Sequence, residues 1–444
     1  MSLADTLRAA PGQPCHPVTR HMLVLPEWAA MATALATDPD LALLGLWADP
    51  TQVYALFREP DGTLLPVSVG VEDGFYPALS PSMPEAAPFE RLIRDLWGHG
   101  AAGTTDPRAL IDHGRWPVTT PLANRHGAAA EPTEIELAPP PPGADRMLRQ
   151  GPVPGGLRPA GELVLAIGGS RILAAERRAG QAHRGVLALL RGKSPRAAAR
   201  FAARLAGDAT VAHGIAFARA AEAACGLDAP PRAVALRALM AALERITIAL
   251  ADFARLAQAG GAGLLAATLA ARQDRVMQAA AAAFGHRLMM DCTIPGGVAL
   301  DVAPPGAAAI AGLATLAADL AETAAATLAP RLRHLPAALD AMQRHLAAIA
   351  TCDTLSALLD TLPDGPIATS LPIVSGEAIG QADGPHGPIW HWLRLEGGQI
   401  GGAFLCDPGW TTWPAYLAAL AGADAEDTEL LLAAFACSAA GTDL

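Results

Sequence analysis

The sequence predicts an α+β protein: a small N-terminal α/β sheet domain, then a helical bundle that small β elements flank. Three observations predict it. Short apolar or alternating runs divided by turn residues crowd the first 126 residues. Between Ser194 and Thr351 the apolar residues recur at helical spacing. Two Gly-Gly hairpin signals, Gly168-Gly169 and Gly397-Gly398, stand on either side of that stretch.

In residues 1–126, Leu41–Trp47, Gln52–Phe57 and Leu64–Val71 are separated by Asp49-Pro50 and Pro60-Asp61-Gly62. Such punctuation marks turns, so the runs read as a small antiparallel sheet. Phe89, Leu92, Ile93, Leu96 and Trp97 put an amphipathic helix over Glu85–Gly98, its apolar face on the sheet and its charged face in water. Residues 127–150 contain Pro139–Pro142 and no periodic pattern. Proline lacks the amide donor and fixes its own φ, so a stiff linker and a domain boundary are expected there.

Residues 151–444 form the second unit, with β structure over 151–192, a bundle over 193–351, and a hairpin and helix over 365–444. Leu163–Ile167 and Ser170–Ala175 flank the first hairpin signal. Ser194 caps and Pro195 opens a helix expected to run through His213 and Phe217 to Gly226. Pro231 opens the next, where Leu236, Leu239, Met240, Leu243, Ile246 and Leu250 share one face. Arg272–Phe284, Ala307–Ala329 and Leu335–Thr351 complete the bundle. Ile389–Leu395 and Gln399–Leu405 make the late hairpin, and a helix through Leu430–Ala434 follows.

Composition excludes several classes. The net charge is -11 over 444 residues with no Lys/Arg run, which argues against nucleic acid as a partner. Six cysteines lie far apart without a CxxC pair, so no disulfide framework is expected. Crossing a bilayer takes roughly 20 strongly apolar residues. The runs Gly261–Ala271 and Ala307–Ala329 are alanine-dominated and interrupted, so no transmembrane segment is expected. Met1–Pro14 is charged and proline-bearing, unlike a signal peptide.

Ionisable residues concentrate in the bundle. Arg204–Phe217 holds Asp208 and His213, and Phe284–Val298 holds His286, Arg287 and Asp291 before Pro295-Gly296-Gly297. With Glu244, Arg245 and Asp252 these are expected at helix interfaces. Glu244-Arg245 reads as a buried ion pair that holds register, and His286 as a satisfied core histidine. The functional alternative is a proton or conformational relay, since closely spaced ionisable groups exchange protons.

Several phrases match a known family in order. They are Glu90-Arg91-Leu92-Ile93-Arg94-Asp95-Leu96-Trp97-Gly98, Gly151-Pro152-Val153, Glu176-Arg177, His183-Arg184-Gly185, Phe284-Gly285-His286-Arg287 and Trp390-His391-Trp392 with Asp407-Pro408. On these the chain resembles fused peripheral-arm subunits of respiratory complex I and of membrane-bound nickel–iron hydrogenases. Residues 1–126 resemble the complex I 30-kDa subunit, with Leu92 departing from the motif. Residues 151–444 resemble the 49-kDa subunit or hydrogenase large subunit, in the hydrogenase-4 and formate hydrogenlyase branch.

The resemblance implies a hydrogenase-large-subunit-like bundle with altered chemistry. The family's first thiolate pair falls on Ala206 and Ala209, and its second on Cys437 and Ala440. Soft sulfur ligands hold such a centre, so no metal and no cofactor of its own are expected, as in energy-converting hydrogenase-related complexes. Pro154 and Pro159 stand where the family has a quinone-binding His and a relay Glu, and Ala209 near its Tyr; Ala249 replaces its helix histidine. His183 and Arg184 would lie beside the iron–sulfur cluster of a partner small subunit, where a cation raises the cluster's potential. Asp208 and His213 would line a degenerate acceptor pocket. The expectation is a scaffold in a redox-driven ion-pumping complex, peripheral on the cytoplasmic face of the bacterial inner membrane, contacting the iron–sulfur small subunit and membrane-arm subunits. The alternative is a quinone-reducing subunit of an NADH–quinone oxidoreductase type, using His183, Asp208 or His213.

Overall fold

A computed structural model describes residues 2–129, 131, 138–152 and 161–444. The readings at Val153, Pro154 and Pro159 lie outside the described residues. Helix accompanies sheet throughout, and the expected α+β class holds.

The N-terminal sheet has five strands in the spatial order Gly12–Cys15, Val18–Leu23, Leu64–Gly70, Gln52–Arg58, Ala42–Ala48. The three expected strands pair antiparallel, but Val18–Leu23 runs parallel to Leu64–Gly70, so the sheet is mixed. Its first two strands escape a pattern search because Thr19, Arg20 and His21 break the apolar alternation. Arg20 is buried all the same: its Nε donates to Glu377 at 2.8 Å and its Nη1 to Ser68 at 2.6 Å.

Helix Ala87–Trp97 ends on Gly98, whose φ of +79° supplies the left-handed cap. Its charged face is not solvated, contrary to expectation: Glu90 is 2% and Asp95 6% exposed. Glu90 Oε1 accepts from the amides of Leu79 and Ser80 at 2.6 and 2.9 Å. Asp95 Oδ2 accepts from Leu110, Ile111 and Asp112 at 2.7, 2.9 and 3.2 Å. Buried loop amides need acceptors, and these carboxylates supply them.

This first unit shares a core with the late hairpin. Trp47 stacks on Tyr54 and Phe404 at 5.4 and 5.6 Å, with Trp390 and Trp392 tilted against it. A Cβ on Gly45 would meet the Trp390 ring at 2.7 Å, so only glycine admits that ring. Arg394 Nη1 reaches Asp49 at 2.5 Å and Arg20 reaches Glu377, so ion pairs tie the two sheets as well.

The segment 127–150 is not linker throughout. It ends in strand Arg146–Gln150, which pairs with Glu162–Gly168, itself paired with Arg171–Arg178. Ser194 caps its helix through the Ala197 amide at 3.4 Å, but the helix stops at Ala202 and restarts as Thr210–Ala224. The carbonyls of Arg204 and Leu205 accept from the Arg184 guanidinium rather than from a continuing helix. Pro231–Ala259 forms as expected, while the next helix starts earlier, at Gly263, and ends at Phe284. Ala307–Ala329 is not one long helix: short helices Pro304–Ala311, Leu320–Thr327 and Ala329–Leu332 replace it. Gly312, a left-handed Asp319 and Pro330 override the alanine propensity.

Helices Pro336–Ala350 and Thr428–Phe435 match expectation, and Gly409–Leu420 is additional. The late hairpin is Gly387–Glu396 with Gln399–Cys406, extended by strand Gly376–Gly384. That strand lies directly on helix Thr210–Ala224: a Cβ on Gly380 would meet the Ala216 carbonyl at 2.2 Å. Among the described residues no helix is long and apolar enough to cross a membrane.

Candidate functional site

The break between Ala202 and Thr210 creates the site. It leaves the amides at the start of Thr210–Ala224 unpaired, and the long helix answers with a carboxylate. Glu244 Oε1 and Oε2 accept from Val211 and Ala212 at 2.6 and 2.9 Å. Burial pushes the Glu244 carboxyl up to about 8, with Asp208 adding to the rise and the two amides opposing it. Arg245 is exposed and forms no pair with Glu244. Adjacent residues on a helix point about 100° apart, so they cannot both face the same interface.

Two turns further along, Asp252 meets a histidine that sequence reasoning did not single out. His386 Nε2 donates to Asp252 Oδ2 at 2.7 Å, and its Nδ1 lies 3.7 Å from Asp208 Oδ2. Burial alone would depress His386, but Asp252, Asp208 and Asp407 outweigh it and leave the imidazole raised to about 9. Asp252 answers in kind: burial would raise it, yet His386 and Arg255 lower it to about 2. Burial pushes Asp208 up, with His386 opposing.

His213 continues this cluster. Its Nε2 donates to Asp407 Oδ2 at 3.0 Å, and its Nδ1 is hydrogen-bonded to His391 Nε2 at 2.9 Å. Burial would raise Asp407, but the His213 bond and the Gly409 amide hold it below the usual carboxylate range. Burial, then His213, depresses His391, whose Nδ1 has no partner among the described residues. Asp208, His213, Glu244 and Asp252 are thus brought together, with His386, His391 and Asp407 added. Lone histidines in a turn and a strand carry no local signal for that role.

The Phe284–Val298 block is elsewhere. His286 Nδ1 accepts from the Leu288 and Met290 amides at 3.1 and 3.4 Å, Arg287 is exposed, and Asp291 forks onto Arg204 at 2.6 and 2.7 Å in the open. His286 is half-buried and serves its own turn, not a core. The buried ion pair expected of Glu244-Arg245 belongs to Glu222 and Arg237, 2.5 Å apart, which also hold the Gly296 amide and Gly297 carbonyl.

Arg184 joins the loop that holds Ala206 to the C-terminal turn that holds Ala440. Arg184 donates to the carbonyls of Arg204 at 2.9 Å, Leu205, and Ala440 at 3.3 Å. One guanidinium therefore bridges the loop of Ala206 and the C-terminal turn. His183 Nδ1 donates to the Asp443 carbonyl at 2.6 Å, and its ring stacks on Trp116 at 4.6 Å. Burial depresses His183, with the Asp443 carbonyl opposing. Arg177 pairs with the Asp443 carboxylate at 2.6 Å. Cys437 directs its thiol to the Thr412 carbonyl at 3.7 Å, and burial pushes it up to about 12. Among the described residues no three His, Cys, Asp or Glu side chains are grouped to hold a metal ion.

Comparison with known proteins accords with this architecture. Residues 184–258 match the family model described as nickel-dependent hydrogenase. Over 185 residues the chain is 26% identical to hydrogenase-4 component G of Escherichia coli strain K12, covering 38% of this chain. The match covers 32% of that relative, so the chain spans about a third of its length. A chain of the archaeal membrane-bound sulfane sulfur reductase, a respiratory membrane complex, superposes with a TM-score of 0.59 at 18% identity, covering 67% of this chain and 98% of that one. The Ni-Fe-Se hydrogenase of D. vulgaris Hildenborough superposes with a TM-score of 0.56 at 11% identity, covering 67% of this chain and 100% of that one. The chain is therefore similar to nickel-dependent hydrogenases over residues 184–258 and to hydrogenase-4 component G over 185 residues, and its fold is like that of a hydrogenase large subunit.

Proposed function

We propose that this chain is the peripheral-arm large subunit of a membrane-bound, redox-driven ion-pumping complex and has no nickel–iron centre of its own. It scaffolds an iron–sulfur small subunit and couples it to membrane subunits. The observation that carries this reading is the Arg184 bridge: carbonyls of Arg204, Leu205 and Ala440 converge on one cation where thiolates would have to converge on two metals. Ala206, Ala209 and Ala440 offer methyl groups there, and Cys437 offers one protonated thiol. These residues do not fit a nickel–iron group, which takes four thiolates.

Residues 1–126 then serve as the 30-kDa-like unit and 151–444 as the 49-kDa-like unit. The buried cluster supplies the coupling element. Glu244 and His386 hold protons near neutral pH, and Asp208 lies 3.7 Å from His386 and acts on the Glu244 carboxyl through its charge. A change of charge at the partner's cluster, on the His183–Arg184 side, would shift where those protons rest. Both His213 nitrogens are engaged and its side chain is fully buried, so in the alternative, acceptor-reducing reading the contact would fall to His183 or Asp208. The relatives' names, a hydrogenase-4 component and a respiratory membrane complex, support a place in a membrane complex, which this reading puts on the cytoplasmic face of the bacterial inner membrane.

The test is purification of the intact complex with metal analysis and assays of hydrogen turnover and quinone reduction. Iron without nickel is expected, and no hydrogen turnover. One nickel per chain would overturn the reading.

A further inference from the structure

Residues 177–207 hold eight of the chain's 32 Lys and Arg side chains and none of its 43 Asp and Glu. Most of these cations are used inside the fold. Arg177, Arg178 and Arg204 pair with Asp443, Glu162 and Asp291. Arg184 and Arg191 donate to backbone carbonyls. Lys193, Arg196 and Arg200 remain, and none of the three has a carboxylate partner or a hydrogen-bond acceptor for its side chain among the described residues.

These three are gathered on one surface. Arg196 and Arg200 are exposed and stand four residues apart, on the same side of helix Pro195–Ala202. Lys193 Nζ and Arg200 Cζ lie 5.7 and 4.9 Å from the centroid of the Phe201 ring, which steadies both charged heads. Like charges at that helical spacing repel, and Arg196 makes no polar contact that would offset the repulsion. An anion supplied from outside the chain removes it.

The surface is continuous with the Arg184 bridge. Arg204 Nη1 donates to the Arg200 carbonyl at 3.0 Å, and the Arg204 carbonyl accepts from Arg184 at 2.9 Å. Guanidinium forks match planar carboxylates. Residues four apart on a helix have their Cβ atoms about 5–6 Å from each other. Alternate residues of an extended strand are about 6.6 Å apart, so neighbouring carboxylates of such a strand reach both forks. An anionic bilayer fits less well, because a chain of net charge -11 is repelled by a charged plane, whereas a short segment meets the cations alone.

We infer that the surface formed by Lys193, Arg196 and Arg200 docks an acidic segment of a partner polypeptide, with carboxylates on alternate residues pairing with the two guanidinium groups. The inference rests on the proposed function only in assuming a partner subunit, and nickel found in the chain would leave it standing.

Fluorescence anisotropy on the full chain tests it, with a labelled peptide of alternating glutamate and alanine as probe, at about 10 mM ionic strength, where the Debye length is about 30 Å. Saturable binding is expected, with no binding of the same peptide carrying glutamine for glutamate. The double variant Arg196→Gln, Arg200→Gln should bind about tenfold more weakly, the worth of two exposed ion pairs. A control pair of exposed cations on other helices, Arg275→Gln with Arg333→Gln, removes the same charge and should leave the affinity unchanged. Circular dichroism establishes that each variant is folded. No binding of the glutamate peptide, an unchanged affinity in the Arg196 and Arg200 variant, or an equal loss in the control would overturn the inference. So would sedimentation with phosphatidylglycerol vesicles that the Arg196 and Arg200 variant loses, which would assign the surface to lipid.

Discussion

His386 donates to Asp252 across 2.7 Å, and that bond ties the turn between two C-terminal strands to the C-terminal half of the long helix Pro231–Ala259. Asp208, from the break before Thr210–Ala224, faces the other ring nitrogen. Three segments distant in sequence meet on one imidazole.

The sign of the pH dependence follows from the two shifts. His386 rises from its ordinary 6.5 to about 9, so its stabilisation is complete below 6.5 and is lost as pH climbs through 9. Asp252 falls to about 2, so its share is present above its ordinary range and is lost only as pH drops through 2. His386→Gln should therefore cost about 3 kcal/mol at pH 6 and much less at pH 9.5. Urea unfolding at the two pH values measures this, and an equal cost at both would refute the charged pairing.

Glu244 behaves oppositely to a salt-bridged carboxylate. Its carboxyl is raised from 4.5 to about 8, so the folded chain loses stability as pH rises from 4.5 through 8. Glu244→Gln removes the titration. The variant should gain on the order of 2 kcal/mol relative to wild type at pH 9, and lose about 1 kcal/mol at pH 5, where one amide acceptor is missing. Infrared spectroscopy provides a second reading. A protonated carboxyl band present at pH 6.5, fading above pH 8 and absent from Glu244→Gln, is expected.

Much of the fold was legible because its signals are local. Ser194-Pro195 announces a helix start, and Gly397-Gly398 a hairpin, through backbone rules that need no tertiary partner. The cluster was only half legible. Asp208, His213, Glu244 and Asp252 stood out as charges on apolar helices. His386 did not, because a histidine between Pro385 and Gly387 looks like any turn residue, and its partner Asp252 is 134 residues away. The same distance effect hid Val18–Leu23, whose buried Arg20 makes sense only once Glu377 arrives from the C-terminal sheet. The Glu244-Arg245 pairing failed for a nearer reason, the angle between successive helix positions.

Asp95 offers a test of the buried carboxylates that hold loops. A single oxygen, Oδ2, accepts from the amides of Leu110, Ile111 and Asp112, and the first two residues are buried. Asp95→Ala leaves buried donors without partners, a cost of about 1–3 kcal/mol for each orphaned group. Asp95→Asn keeps an acceptor oxygen but loses the charge, which roughly halves a hydrogen bond's strength. The alanine variant should thus be destabilised by about 3 kcal/mol and the asparagine variant by about half of that. Hydrogen exchange separates this from a general loss of stability. Protection should fall first at Leu110 and Ile111, while the Glu90-held amides of Leu79 and Ser80 keep theirs. Equal loss at both loops would mean that Asp95 acts on the whole domain and not on the segment it binds.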